Sequence, residues 1–314
     1  MKTVRNYPSD GETFRDLAGF LGIVAGLRSR WRKLHLPTQS EKVRPYGEDK
    51  ALWFRGQSNA KWGLTPTIWR PEYQDANEAE MRLEFESVGT PLMQPGAVPN
   101  KWHWYFLMQH YKTPTRLLDW TLNPLVALYF AVCNEPDQDA AVWVLDPWRW
   151  NRAHVKYLFG PAVPGWRETK KYLLDLEEAF DTDTGENQTT EKWPVAIEPP
   201  HIDRRIAAQG SKFTLFGLKK DMTESPAVNR PRGGKGKHAI LDKIVVRQET
   251  VAEFREQLNQ IGINGRAMFP DLEGLGKHIA WEWKTRTQSN VSKATSRVRL
   301  SRRVAIPPSV QMNK

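Results

Sequence analysis

Met108-Gln109-His110-Tyr111-Lys112-Thr113-Pro114-Thr115-Arg116-Leu117-Leu118-Asp119-Trp120-Thr121 compresses a helix end, a proline turn and a strand into one short run. The aromatic stretch Trp102 to His110 reads as an apolar helix, and Thr115 to Trp120 reads as a strand. Just beyond, Asn123-Pro124 opens a strongly apolar helix over Leu125 to Asn134, since proline suits the first helical turn. Helix, strand and helix in such close order predict an α+β fold, a mixed strand core interrupted by helices. The same run is also rich in polar groups. Gln, His, Arg, Asp and Thr stand where the pattern predicts burial, and each then needs a partner.

Working outward, Ala51 to Gly56 reads as a short strand ending at a glycine, and residues 12–34 as an amphipathic helix carrying Phe14, Leu17, Phe20, Leu21, Ile23, Val24, Leu27 and Trp31. Further helices are expected over Glu78 to Val88, Thr250 to Ile261 with Gly262 as its stop, and Leu275 to Trp283. Ala140 to Leu145 and Leu241 to Val246 read as strands, and Pro199 to Phe216 as a short helix, a glycine turn and a strand. The expected organisation is an N-terminal helix and loop (1–48), a main domain (49–283) and a basic C-terminal tail (284–314). Within the main domain, 149–195 reads as a variable insertion, and 219–237 as a mobile basic loop with three glycines and two prolines.

Composition narrows the class. With 39% hydrophobic residues in 314, the chain can bury a full core. No apolar run approaches the ~18–20 residues of a membrane span, and the first ten residues lack the apolar core of a signal peptide. The one cysteine, Cys133, allows no internal disulfide, the pattern expected of a reducing cytoplasm, and reads as a small core residue. The formal net charge of +10 is concentrated at the C-terminus, where Lys284 to Lys314 holds eight Lys or Arg and no acid. Such an arm can hold a nucleic-acid backbone by releasing counterions. Lys235 and Lys237 in the loop, with Arg297, Arg299, Arg302 and Arg303 in the tail, are the expected phosphate contacts; a merely solvated extension is the competing reading.

The candidates for chemistry gather at the two motif strands. Arg55 beside Gly56 can fork onto a pyrophosphate or a carboxylate while the glycine admits a ligand close to the backbone; its alternative is an internal ion pair. His110 can act as acid, base or donor, or sit as a satisfied core histidine. Asp119 can accept from Arg116, His110 or a ribose hydroxyl, and Thr121 either joins the site or caps the next helix. Gln209 either orients a substrate or ends a helix at a left-handed Gly210. No Cys/His set has zinc spacing, so no metal is expected. Arg232 to Lys237 lacks the Walker spacing, Gly56-Gln57-Ser58 is not a serine-nucleophile elbow, and Asp119 has no acidic partner nearby in sequence.

Phe54-Arg55-Gly56-Gln57, Gln109-His110-Tyr111, Pro114 to Thr121, Asn123-Pro124 and Ala127-Leu128-Tyr129-Phe130-Ala131 together resemble the FRG domain family. The resemblance continues through Arg204, Gln209-Gly210 and Phe213 to Gly262-Ile263-Asn264, Phe269 to Leu272 and Gly274-Leu275. The motif order is in turn similar to that of NAD-dependent ADP-ribosyltransferases, in which a first strand carries aromatic-Arg-Gly and a second is followed by an apolar helix. This implies an ADP-ribosyltransferase-like fold and an enzyme that uses NAD to modify a nucleic acid or protein. The implied setting is a toxin or anti-phage defence effector, compatible with control by a regulatory partner. Arg55, Gly56, Gln57, Tyr111, Arg116, Trp120 and Thr121 would then bind NAD. The two arginines would face the pyrophosphate, Tyr111 and Trp120 would stack on nicotinamide, and His110, Asp119 and Gln209 would carry the chemistry. The family's third motif has a glutamate opening a strand, whereas Gln209 to Lys212 stand here. A non-catalytic nucleic-acid or nucleotide-binding module, and a nuclease using His110 and Asp119, are the alternatives.

Overall fold

The computed structural model describes residues 14–32, 51–93, 99–134, 137–156, 158, 160–172, 191–199, 209–228 and 240–284. They fall into two compact units, 1–263 and 264–314, a division that places a boundary inside the stretch expected as one domain.

The first unit is an α+β structure built on one antiparallel sheet. Its strands are β1 (Trp53–Gln57), β2 (Leu117–Thr121), β3 (Ala140–Leu145), β4 (Val195–Ile197), β5 (Ser211–Leu215) and β6 (Leu241–Val246), in the order β4-β5-β2-β1-β3-β6. The helices are α1 (Leu17–Arg32), α2 (Glu78–Gly89), α3 (Lys101–His110), α4 (Pro124–Val132), α5 (Pro147–His154), α6 (Arg167–Lys170) and α7 (Val251–Gln260). Their starts are written locally. Asn77 accepts from the amides of Ala79 and Glu80, Asn100 forms a capping box with His103, and Asn123 accepts from Leu125 just before Pro124. It is therefore Asn123, and not Thr121, that caps α4.

Alternation along the strands sorts side chains into three clusters. Phe54, Val142, Val144, Ile244 and Val246 face α1, α4 and α7. Leu117, Phe213, Leu215, Val195 and Ile197 face α3. On the other side, Trp53, Leu118, Trp120, Trp143 and Leu145 gather with Trp150, Phe216, Leu64 and Met222. All six residues of β3 are buried because both its faces are covered.

Three expected boundaries differ. The N-terminal helix is no appendage, since Phe20, Val24, Leu27 and Trp31 are core residues beside Phe54 and Phe254. The start of the expected insertion is stitched into the core. Trp150 donates to Pro194 O (2.7 Å), and Asn151 donates to Gly160 O and Ala196 O while accepting from Ala196 N. In the basic loop, residues 219–228 are packed, with Met222 fully buried and Asp221 holding the amides of Leu64 and Thr223. In the last two cases, tertiary burial recruited part of a stretch whose composition looked polar.

In the second unit, Asn264 caps the short helix α8 (Gly265–Met268). The helix at 272–284 is longer than the expected one. Gly274 lies against the backbone of Phe269, where a Cβ would come within 2.2 Å of its oxygen.

Candidate functional site

The sheet is nearly two sheets. β1 pairs with β3 from Trp53↔Leu145 to Gln57↔Ala141, and β2 with β5 from Leu117↔Leu215 to Thr121↔Ser211. Between β1 and β2 the register is the single pair Phe54↔Thr121. Continued, it would set Gly56 opposite Asp119, but the strands have parted there. Backbone groups lining such a gap lose their ladder partners and must find others.

Arg55 supplies one. Its Nη1 donates to Asp119 O at 2.8 Å and stands 3.7 Å from Asp119 Oδ2, so the side chain crosses the gap that the ladder leaves open. The side chain is 14% exposed, and its buried Nε has no hydrogen-bond partner. Burial lowers its pKa to about 10; Asp119 opposes this shift and Arg70 adds to it. It stays protonated at any physiological pH, with a donor to spare.

Asp119 keeps 55% of its side-chain surface open, so the place where β1 and β2 stop pairing is a recess that faces solvent beside its carboxylate. Crowding pushes its carboxyl above the usual carboxylate range, while Arg55 and the Gln109 hydrogen bond pull it back. Gln109 Nε2 donates to Asp119 Oδ2 (2.7 Å) and Gln109 Oε1 accepts from Thr115 Oγ1 (2.6 Å), whose oxygen also accepts from Leu117 N. Gln109 is thereby oriented from both ends of its amide. It was noticed beside His110 in the sequence, but no signal there assigned it to Asp119.

The other expected residues divide. Tyr111 is 65% exposed, its ring near His110 and Phe85. His110 ends α3, half-buried. Thr121 Oγ1 donates to Gln209 O at 2.5 Å and accepts from Asn123 N, and Gly210, with φ 57°, is a left-handed turn just before β5.

Four of the expected residues are engaged within the protein itself. Gly56 faces α4: a Cβ there would come within 1.9 Å of Ala127 O, so it is the helix, and not a ligand, that the glycine admits. Gln57 is buried, donating to Gly63 O (3.0 Å) and accepting from Trp143 Nε1 (2.7 Å). Trp120 is buried in the core with Nε1 on Thr214 Oγ1, which leaves no face for a ring to stack on. Arg116 is held by Glu78, whose Oε2 accepts from its Nε and whose Oε1 accepts from its backbone amide, each at 2.6 Å.

Lys235, Lys237, Arg204, Arg297, Arg299, Arg302 and Arg303 lie outside the described residues. Among the described residues no cluster of His, Cys, Asp or Glu could hold a metal ion, and no helix is long and apolar enough to cross a membrane. Cys133 is half-buried and its thiol is pushed up to about 11 by that burial, which makes it a poor nucleophile.

An α+β domain with an arginine bridging a parted pair of central strands defines the class. Residues 50–140, from just before β1 to the first residue of β3, match the family model described as FRG domain, which supports placing the chain in the FRG family. No curated protein and no solved structure matches the chain.

Proposed function

We propose that the parted strands β1 and β2 form a dinucleotide site, and that the chain is an ADP-ribosyltransferase-like enzyme using NAD to modify a nucleic acid or a protein. The observation that carries this reading is the bridging Arg55: a buried cation with an unpartnered Nε beside a half-exposed carboxylate. The three motif strands β1, β2 and β5 are also neighbours in the sheet. The residues fit NAD on two counts, a spare guanidinium donor for a phosphate oxygen and an open carboxylate oxygen for a ribose hydroxyl. Bound NAD would supply the ADP-ribosyl group, with nicotinamide as the leaving group. Arg55 would hold the phosphate. Asp119, steadied by Gln109, would offer its negative charge where positive charge develops. Tyr111 is the exposed ring suited to stacking. Arg116, engaged by Glu78, has no part in this arrangement. The basic tail favours a nucleic-acid acceptor.

One observation favours a second reading. Gln209-Gly210 lead into β5, which opens with Ser211-Lys212 and no glutamate, so a module that binds the nucleotide without chemistry is the alternative. Incubation with NAD and separate RNA, DNA and protein pools, followed by mass spectrometry, tests the proposal. An ADP-ribose adduct that disappears in Arg55→Gln supports the enzyme. Binding with no adduct and no nicotinamide release would leave only the module.

A further inference from the structure

Arg55 cannot balance a diphosphate alone, and a second cation stands over the same side of the sheet. The chain from Gly63 to Tyr73 covers the cluster that holds Trp53 and Trp143, the side to which Arg55 also points. Gln57 reaches Gly63 O, Leu64 is fully buried there, and Trp69 packs edge-on against Phe216 with ring centroids 5.8 Å apart. Arg70 comes next. Its amide donates to Thr67 O (3.0 Å) and its carbonyl accepts from Tyr73 N (2.9 Å), so two consecutive 3-10 turns, Thr67–Trp69 and Pro71–Tyr73, clamp its backbone from either side. The side chain is exposed, and among the described residues its guanidinium has no hydrogen-bond or ion-pair partner. Its charge nevertheless reaches the recess: it helps lower Arg55 and helps draw Asp119 down. Arg55 pairs with the half-exposed carboxylate, and Arg70 adds a second, exposed positive charge on the same side of the sheet. Holding like charges together is unfavourable unless an anion joins them.

We propose that Arg70 is the second arm of an anion clamp, facing Arg55 across the recess, and that the group it takes is a diphosphate. This inference rests on the dinucleotide reading for its natural ligand, but not for its test. The pair suits a diphosphate better than one phosphate because the cations come from separate elements, a strand and a turn, and each can meet its own phosphoryl group. Arg55 is rigid and supplies orientation. Arg70, anchored only through its backbone, supplies reach.

The test titrates the full chain with inorganic pyrophosphate, ADP, NAD and adenosine by calorimetry, for the wild type, Arg70→Gln and Arg247→Gln. The last removes the same charge from an exposed residue paired with Asp139 at 2.7 Å. Arg70→Gln should weaken pyrophosphate and ADP about tenfold or more, the loss of one charge-assisted hydrogen bond, and leave adenosine unchanged. Arg247→Gln should bind all four as wild type does. Pyrophosphate and ADP binding that depends on Arg70, with no NAD binding, sinks the dinucleotide reading and leaves the clamp standing. NAD and ADP bound equally well by wild type and Arg70→Gln overturns the clamp alone. A wild type that binds neither pyrophosphate nor ADP overturns it too. Circular dichroism of the variant guards against misfolding, which an exposed substitution is not expected to cause.

Discussion

Gly56 shows how far one residue's meaning depends on its neighbours. Beside Arg55 it looks like a place for a ligand to approach the backbone, yet in the folded chain it is where α4 comes closest to the sheet, through Ala127 O and Ala131 N. Both obstructing atoms are backbone and cannot swing away. Gly56→Ala should therefore cost about 3 kcal/mol or more, the upper range for overpacking. Denaturant unfolding measures it; a loss below about 1 kcal/mol would mean that the helix is free to move back. Arg55 was legible because a strand-borne arginine next to a glycine is unusual. Arg70 was not, because nothing in Trp69-Arg70-Pro71 says that this turn folds back over the strand fifteen residues earlier.

At the level of elements, the junction of α2, α3 and β2 sets where Asp119 stands. Glu78, at the first turn of α2, accepts from Tyr105 Oη (2.6 Å) as well as from Arg116. One carboxylate thereby ties two helices to the start of β2. The pair is largely shielded, at 16% and 13% side-chain exposure, and burial beside that carboxylate pushes the Tyr105 hydroxyl well above its ordinary value. Glu78→Ala removes the carboxylate that holds the largely buried Arg116 and the Tyr105 hydroxyl, so a loss of about 3 kcal/mol is expected, with Glu78→Gln losing less because it keeps the shape and an acceptor. Equal stability of Glu78→Ala and wild type in chemical denaturation would refute this role. The turn after α3 contributes too. Lys112 adopts φ 65°, unusual for a residue with a side chain, while Thr113 N reaches back to Met108 O. The helix end at His110 was readable from the apolar run, whereas the tie to Glu78 joins residues 38 apart and leaves no mark on either stretch.

At the scale of the whole molecule, His154 contributes a response to acid. It stacks on Trp150 at 4.1 Å, with Nδ1 2.7 Å from Trp150 O and Nε2 2.6 Å from Ser225 Oγ. A carbonyl can only accept, so Nδ1 carries the proton and Nε2 accepts from the serine hydroxyl. Burial lowers the pKa of this histidine; the backbone hydrogen bond opposes it weakly. The unfolded chain then takes up the proton first. The stabilisation is complete above the ordinary value of 6.5 and is lost as pH falls through the lowered folded-state value. Melting temperature followed from pH 7.5 to 5 should decline in wild type and decline less in His154→Asn, which starts lower. Parallel curves would remove His154 from the account.

By itself the sequence determined the α+β class, most of the strands and helices, and the two stretches around Arg55 and Asp119. These follow from period, caps and glycine or proline punctuation, which act over a few residues and are written locally. The tertiary structure alone decided that β1 and β2 pair only once, that Gly56 and Trp120 are packed, that Gln57 and Arg116 are bonded to Gly63, Trp143 and Glu78, and that Gln109 holds Asp119. Those outcomes depend on which distant segments arrive at the same place, and burial and charge pairing are settled only once they have.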